Sequence, residues 1–301
     1  MNSSARNIDM SPVAVPSGAA WRMRWLVFFA ICVLPVTFGW SLTKVVSTLV
    51  VSNDSFTQIL VVPLVSVFLV YESRRKVFSE TRFAWIPGTA LLLPGAFFLI
   101  SARINLWSLG WTNQATLFLL AAVLTWIGAF GLCFGMRAFR LARFPLFFLL
   151  LGVPIPEPIL SEIVAFLQKE SADAAAFFFR LAGVPFFRQD LVFRLPGTAI
   201  RVAEECSGIR SSLALLITTI LAAHLYLRTT WKRFLLCAVV VPLAVLKNGL
   251  RIATLSTLAV YVNPDYLTGN LHRRGGFVFF LIALLPIALL LIVLQRGERA
   301  T

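Results

Sequence analysis

Long apolar runs separated by short polar connections dominate the chain. Runs near the length that crosses a hydrocarbon core of about 30 Å fall at Trp25–Leu42, Phe56–Tyr71, Trp85–Ser101, Ala115–Gly135, Phe144–Pro156, Ile209–Leu227, Phe234–Val262 and Phe277–Leu294. The pattern predicts about eight transmembrane helices. The fifth run is short and ends in Val153-Pro154-Ile155-Pro156-Glu157-Pro158, a proline series that cannot continue a regular helix, so an irregular outer end is expected. The seventh exceeds one crossing. Its polar segment Lys247-Asn248-Gly249-Leu250-Arg251 comes about eighteen residues in, close to one bilayer thickness at 1.5 Å per residue.

Between the fifth and sixth runs the period changes. Ile159 to Leu181 carries apolar residues at helical spacing with Glu162, Gln168, Lys169, Glu170, Asp173 and Arg180 among them, which suits an amphipathic helix at the membrane interface. Its plainest reading is a connector. Phe187 to Ala203 then alternates loosely around a Leu195-Pro196-Gly197 turn, so a short strand or hairpin is expected to deliver the chain to Cys206. There is no internal repeat and no low-complexity tract.

Composition agrees with the pattern: 59% of the 301 residues are hydrophobic and 13% charged, well outside the range of soluble domains. The chain is therefore read as an all-α polytopic membrane protein, with residues 1–24 a polar cytoplasmic N-terminus and 25–301 one membrane-embedded domain. No small-residue cleavage site follows the first run, so that run is read as uncleaved. The net charge of +14 would suggest nucleic acid in a soluble chain, but Lys and Arg fall mainly between the apolar runs, where they set topology. No nucleic-acid partner is expected.

Those charges orient the chain. Arg22 and Arg24 precede span one; Arg74, Arg75, Lys76 and Arg82 join spans two and three; Arg137, Arg140 and Arg143 join four and five; Arg228, Lys232 and Arg233 join six and seven; Arg296 and Arg299 follow the last. Both termini are then cytoplasmic. Cys206 before span six, Arg251 late in span seven and His272 before span eight are expected to converge on the extracytoplasmic face.

Cysteine acts as a nucleophile through its thiolate, which a helix N-terminus and a nearby cation favour. Cys206 opens span six, Ser207 and Gly208 suit its first turn, and Arg210 lies one helical turn on. Glu204 and Glu205 oppose ionisation unless they pair with Arg201 or Arg210. A lone boundary cysteine also has a structural reading, as a small hydrophobe, and Cys32, Cys133 and Cys237 inside apolar runs take that reading outright. Arg251 is costly at membrane depth unless it faces a cavity or partner, and snorkelling to the headgroups is the competing account. Asn248, three residues earlier on the same face, can orient Arg251 or donate to substrate. His272, followed by Arg273, Arg274 and a glycine pair, can move a proton near neutrality. His224, towards the other end of span six, takes a bland interfacial role. No zinc-ligand spacing, HExxH, phosphate loop or dinucleotide fingerprint occurs, so neither metal nor cofactor is expected.

At these residues the chain resembles the exosortase/archaeosortase family of membrane cysteine transpeptidases. The resemblance rests on Glu205-Cys206-Ser207-Gly208-Ile209-Arg210-Ser211, on Asn248 and Arg251, on His272 with its glycines, and on their order through the last three spans. Weaker features lie at Pro154 and Pro156, Gln168 to Ala172, Gly183-Val184-Pro185 and Leu195-Pro196-Gly197, so the catalytic part covers about residues 145–294. The family implies Cys206 as nucleophile forming a thioester, Arg251 stabilising thiolate or oxyanion, and His272 as acid and base, with part of the last two roles open to exchange. Arg210, Asn248, Glu205 and Ser207 are supporting. It also implies partners: exported proteins ending in a Pro-Glu-Pro-like motif, a transmembrane helix and a basic tail, embedded in the same membrane lipid, and an acceptor nucleophile of unspecified kind. Histidine in the third position suits the bacterial branch, hence a cell inner membrane with a periplasmic site. The rival readings are a transporter with Arg251, His272 and the acidic pair at a midplane cavity, and a non-catalytic assembly factor for envelope polysaccharide with a dispensable cysteine.

Overall fold

The computed structural model describes residues 18–39, 44, 47, 58–79, 83–203, 207–263, 266 and 276–299. Helices α1 (Gly18–Phe38), α2 (Gln58–Glu72), α3 (Arg74–Val77), α4 (Trp85–Ile104), α5 (Trp111–Leu141) and α6 (Arg143–Phe148) come first, and a 3-10 turn over Leu149–Gly152 closes the series. After the prolines come α7 (Glu157–Leu181), strands β1 (Phe187–Gln189), β2 (Val192–Leu195) and β3 (Thr198–Arg201), and helices α8 (Ile209–Tyr226), α9 (Thr230–Ala238), α10 (Val240–Tyr261) and α11 (Gly276–Arg299). The chain divides into two compact units, Met1–Pro156 and Glu157–Thr301.

Among the described residues five helices are long and apolar enough to cross a membrane: Gly18–Phe38, Trp111–Leu141, Ile209–Tyr226, the continuous α9–α10 stretch Thr230–Tyr261, and Gly276–Glu298. Gln58–Glu72 and Gly88–Ile104 are apolar but shorter. The fifth expected span is only α6 and its 3-10 turn, and the axis bends by 82° between it and α7. The cause is the proline series, which leaves Pro154 to Pro156 without helical hydrogen bonding. Among the described residues five spans, or six if that bent pair is one, account for part of the eight expected.

In the first unit the bundle is held by close backbone approach and aromatic packing. Helices α4 and α5 meet through Gly88, Gly95 and Gly128, where an added methyl would lie 2.4 Å from Leu132 Cβ, 2.7 Å from Thr125 Oγ1 and 2.9 Å from Leu92 N. Small residues at helix contacts serve this purpose in a bilayer, where lipid is as apolar as leucine. Helix α1 begins earlier than the apolar run predicts, because Trp21 and Trp25 belong to it and to the core. Trp21 meets Phe78 at 5.6 Å, Trp25 meets Phe134 at 4.9 Å, and Phe78 meets Phe134 at 5.0 Å. These contacts bring the starts of α1, α3 and the last turns of α5 to one end of the unit. Arg22, Arg24, Arg74, Arg75, Lys76, Arg137 and Arg140 gather there, as the charge pattern predicts. Arg24 lies within α1 instead of ahead of it, with its guanidinium 4.9 Å from the Phe83 ring centre.

In the second unit α7 is more than a connector. One face of it, with Ala172, Ala175, Ala176 and Phe179, shares a core with Phe193 and Val202 of the sheet segment and with Ile252 and Ala253 of α10. The expected hairpin is a three-stranded antiparallel meander, β1-β2-β3. Its second turn is Pro196-Gly197, with Gly197 at φ +77°, a conformation glycine adopts without a Cβ penalty. Gln168 of α7 donates to the Val202 carbonyl at 3.0 Å and ties the outgoing strand back to the helix.

The remaining helices pack through Leu215, Leu236, Val240, Ala283 and Ile287. Glu298, near the end of α11, accepts the backbone N–H groups of Arg228 and Thr229 at 2.8 Å each, and Lys232 donates to the Leu294 carbonyl at 3.1 Å. These bonds seat the end of α11 on the α8–α9 turn. Arg228, Lys232, Arg233 and Arg296 thus share one end of this unit, again as the charge pattern predicts.

Helix α10 touches α7 at Gly249, where an added methyl would fall 2.4 Å from Ala174 Cβ and 2.9 Å from Ala175 N. Gly249→Val is expected to destabilise the protein by about 1–3 kcal/mol, as overpacking does, seen as a lower thermal midpoint in detergent. Leu246→Val, at an exposed position of the same helix, serves as the comparison.

Candidate active site

A polar cluster forms in the second unit where the start of α8 meets the middle of α10. Helix α8 opens after Gly208, which has φ +75° and ψ 11°, the left-handed conformation in which glycine is at ease. Ser207, 1% exposed, accepts the Ile209 N–H through its hydroxyl at 3.4 Å. Ser211 and Ser212 donate back to the Gly208 carbonyl at 3.1 and 2.8 Å. Three serine hydroxyls are thus used within the first turn, and the N–H groups of that turn make its end electropositive.

Asn248 is the hinge pin of the arrangement. It is 1% exposed, and its amide donates to the Ser171 hydroxyl on α7 at 3.0 Å. Its Oδ1 lies against Gly208, so close that a Cβ built there would be 2.7 Å away. One side chain of α10 therefore touches both α7 and the start of α8. Its neighbour Lys247, also buried, donates to the Ser211 hydroxyl at 2.5 Å. Arg251, one turn further along α10, is half-buried with its Nε fully covered.

Of the residues singled out from the sequence, Ser207, Asn248 and Arg251 lie in this region, Ser207 and Asn248 each within one residue of the Gly208–Asn248 contact. Arg210 is exposed in the first turn of α8. Glu205, Cys206 and His272 lie outside the described residues, as does Glu204. Cys206 directly precedes Ser207 in the chain, and His272 precedes the start of α11 by four residues. Since the far end of α11 sits on the α8–α9 turn, its start lies about 33 Å away along its axis. That is the same end of the unit as the start of α8.

Sequence reasoning missed Ser171, Ser211 and the use made of Lys247. Ser171 falls within Gln168 to Ala172, yet on an amphipathic helix a small neutral residue looks like filler. Lys247 stood inside the polar segment of α10, but only the fold gives it Ser211 as a partner. Asn248, expected to orient Arg251 or donate to substrate, also bonds Ser171, a partner the sequence did not suggest. Cys32, Cys133 and Cys237 are free thiols.

The fold and this region define an all-α polytopic membrane protein with a buried polar cluster where one apolar helix begins. The model of the transmembrane exosortase family matches residues 50–289. The chain belongs to that family, whose role is membrane transpeptidation in protein sorting. No curated protein and no solved structure matches the chain.

Because Gly208 needs both its positive φ and the space that Asn248 Oδ1 leaves, Gly208→Ala is expected to cost about 1–3 kcal/mol. In an Asn248→Ala background the steric part of that cost should vanish. A double-mutant cycle on thermal or denaturant unfolding in detergent reads the coupling, and additive effects would show that the two residues do not meet.

Proposed function

We propose that this protein cleaves the C-terminal sorting signal of exported membrane-anchored proteins by cysteine chemistry on the extracytoplasmic side of a cell inner membrane. The observation that carries the reading is the contact of Asn248 with Gly208, which joins the polar segment of α10 to the helix start that follows Cys206. Family membership supplies the reaction class. The gathering of basic residues at the ends of both units supports the orientation with both termini inside.

In this mechanism the Cys206 thiolate attacks the scissile carbonyl carbon. The electron pair moves to oxygen, and Arg251 stabilises the charge as it passes from sulfur to oxyanion. The C–N bond then breaks, the amine leaves with a proton from His272, and the substrate's outer portion remains as a thioester on Cys206. An acceptor amine or water attacks that thioester, gives its proton to His272 and releases the thiolate. The substrate is an exported protein ending in a Pro-Glu-Pro-like motif, a transmembrane helix and a basic tail. Its helix confines the motif to the depth of the site, so the encounter occurs within one membrane. Asn248, Ser207, Arg210 and Glu205 position this machinery.

The decisive experiment co-expresses the protein with a reporter that carries such a signal and a tag on each side of the motif. Wild type should separate the tags on a gel. Cys206→Ala should abolish cleavage, and Arg251→Ala and His272→Ala should slow it by about a hundredfold or more, with each variant still extracted intact from the membrane. Undiminished cleavage by Cys206→Ala would return the chain to the transporter or assembly-factor readings.

A further inference from the structure

The first unit contains a cavity of about 930 Å³ that the proposed chemistry leaves unused. One wall is α1, which presents Trp25, Phe28 and Phe29. The facing wall is α2, with Pro63, Val67 and Val70. Its character changes at one end, where Arg74, Arg75 and Ser79 complete the lining. From Gly18 to Cys32 the lined part of α1 covers about 21 Å, enough for the roughly 15 Å acyl region of one leaflet together with its headgroup level. The guanidinium groups thus stand where a headgroup begins when an acyl chain fills the rest.

We propose that this groove binds one anionic phospholipid, with an acyl chain between α1 and α2 and its phosphate on Arg74 and Arg75. Charge complementarity selects the occupant. The described lining includes two guanidinium groups and no carboxylate, so a phosphodiester is attracted and a peptide with a basic tail is repelled. Arg74 is already oriented, lying 4.0 Å from the Tyr71 ring centre and donating to the Tyr71 carbonyl at 2.8 Å. That bond uses one of the five N–H donors of its guanidinium. The basic end of the unit adds the field of Arg22, Lys76 and Arg137, which strengthens the preference for negative headgroups. Aromatic side chains at the same level, Trp21 and Tyr71, suit the interface.

The test uses full-length protein purified in a neutral detergent and native mass spectrometry with phosphatidylglycerol or phosphatidylcholine of identical chains. Wild type should hold one phosphatidylglycerol with an affinity at least about tenfold above that for phosphatidylcholine. Arg74→Gln/Arg75→Gln should cut that preference severalfold, to the remainder set by Arg22, Lys76 and Arg137, with Lys76 and Arg82 left to preserve the charge bias of the loop. Val67→Trp, which fills the groove without touching either arginine, should weaken binding of both lipids. Equal affinity for the two lipids would overturn the proposal, as would a preference left undiminished by the double substitution. So would competition by inorganic phosphate alone as effective as by the lipid, or binding that appears only after residues 2–17 are deleted.

Discussion

In a bilayer a buried polar group has no water to fall back on, and its partner must come from protein. The second unit meets this constraint with three consecutive residues of α10. Lys247 reaches Ser211 of α8, Asn248 lies between Ser171 of α7 and Gly208, and Gly249 lets α7 close to contact at Ala174. Successive residues of a helix point about 100° apart, so these three take up more than half of its circumference. The helix is therefore wedged, with its rotation fixed by hydrogen bonds on two sides and by van der Waals contact on the third. Ile252 and Ala253, one turn on, then fall on the core shared with the meander.

The same residues set where the chain enters α8. The meander ends at Arg201, and Gln168 holds Val202 to α7 just before the segment that leads to Ser207. Beyond that segment, Gly208 is pressed on Asn248 and the helix starts at once. Both flanks of the residues around Cys206 are thus anchored to the α7–α10 pair. At the opposite end Glu298 fixes α11 to the α8–α9 turn through two backbone N–H groups.

Much of this was legible in the chain. Hydropathy located the helices because lipid demands apolar length, and the proline series announced the break after α6 because it removes donors and forces an extended backbone. Basic residues predicted which ends group together, and the hairpin that forms part of the meander followed from its Pro-Gly turn. Of the eight expected spans, five or six have the length and hydropathy of a crossing among the described residues. Arg24 was placed outside its helix because charge normally ends a span, whereas here the Phe83 ring receives it. The role of α7 was hidden for another reason. Serine and alanine at helical spacing describe a close-packed face and a featureless one equally well, and only the position of Asn248 distinguishes them.

Small residues are what the cluster is made from: Ser171, Ser207, Gly208, Ser211 and Ser212, with Gly249 beside them. Each admits close backbone approach, and each serine supplies one short, stiff hydrogen-bonding arm. A cluster built this way has little side-chain entropy left to lose, so its dipoles are already oriented before any charge develops near them. Long side chains enter only where charge is wanted, at Lys247 and Arg251, and both are carried by the one helix whose rotation is fixed on three sides. Cationic groups on a wedged helix and N–H groups at a pinned helix start cannot easily turn away from a new negative charge. Preorganisation of that kind, obtained by packing, is the condition under which electrostatics lowers a barrier instead of merely binding a ground state.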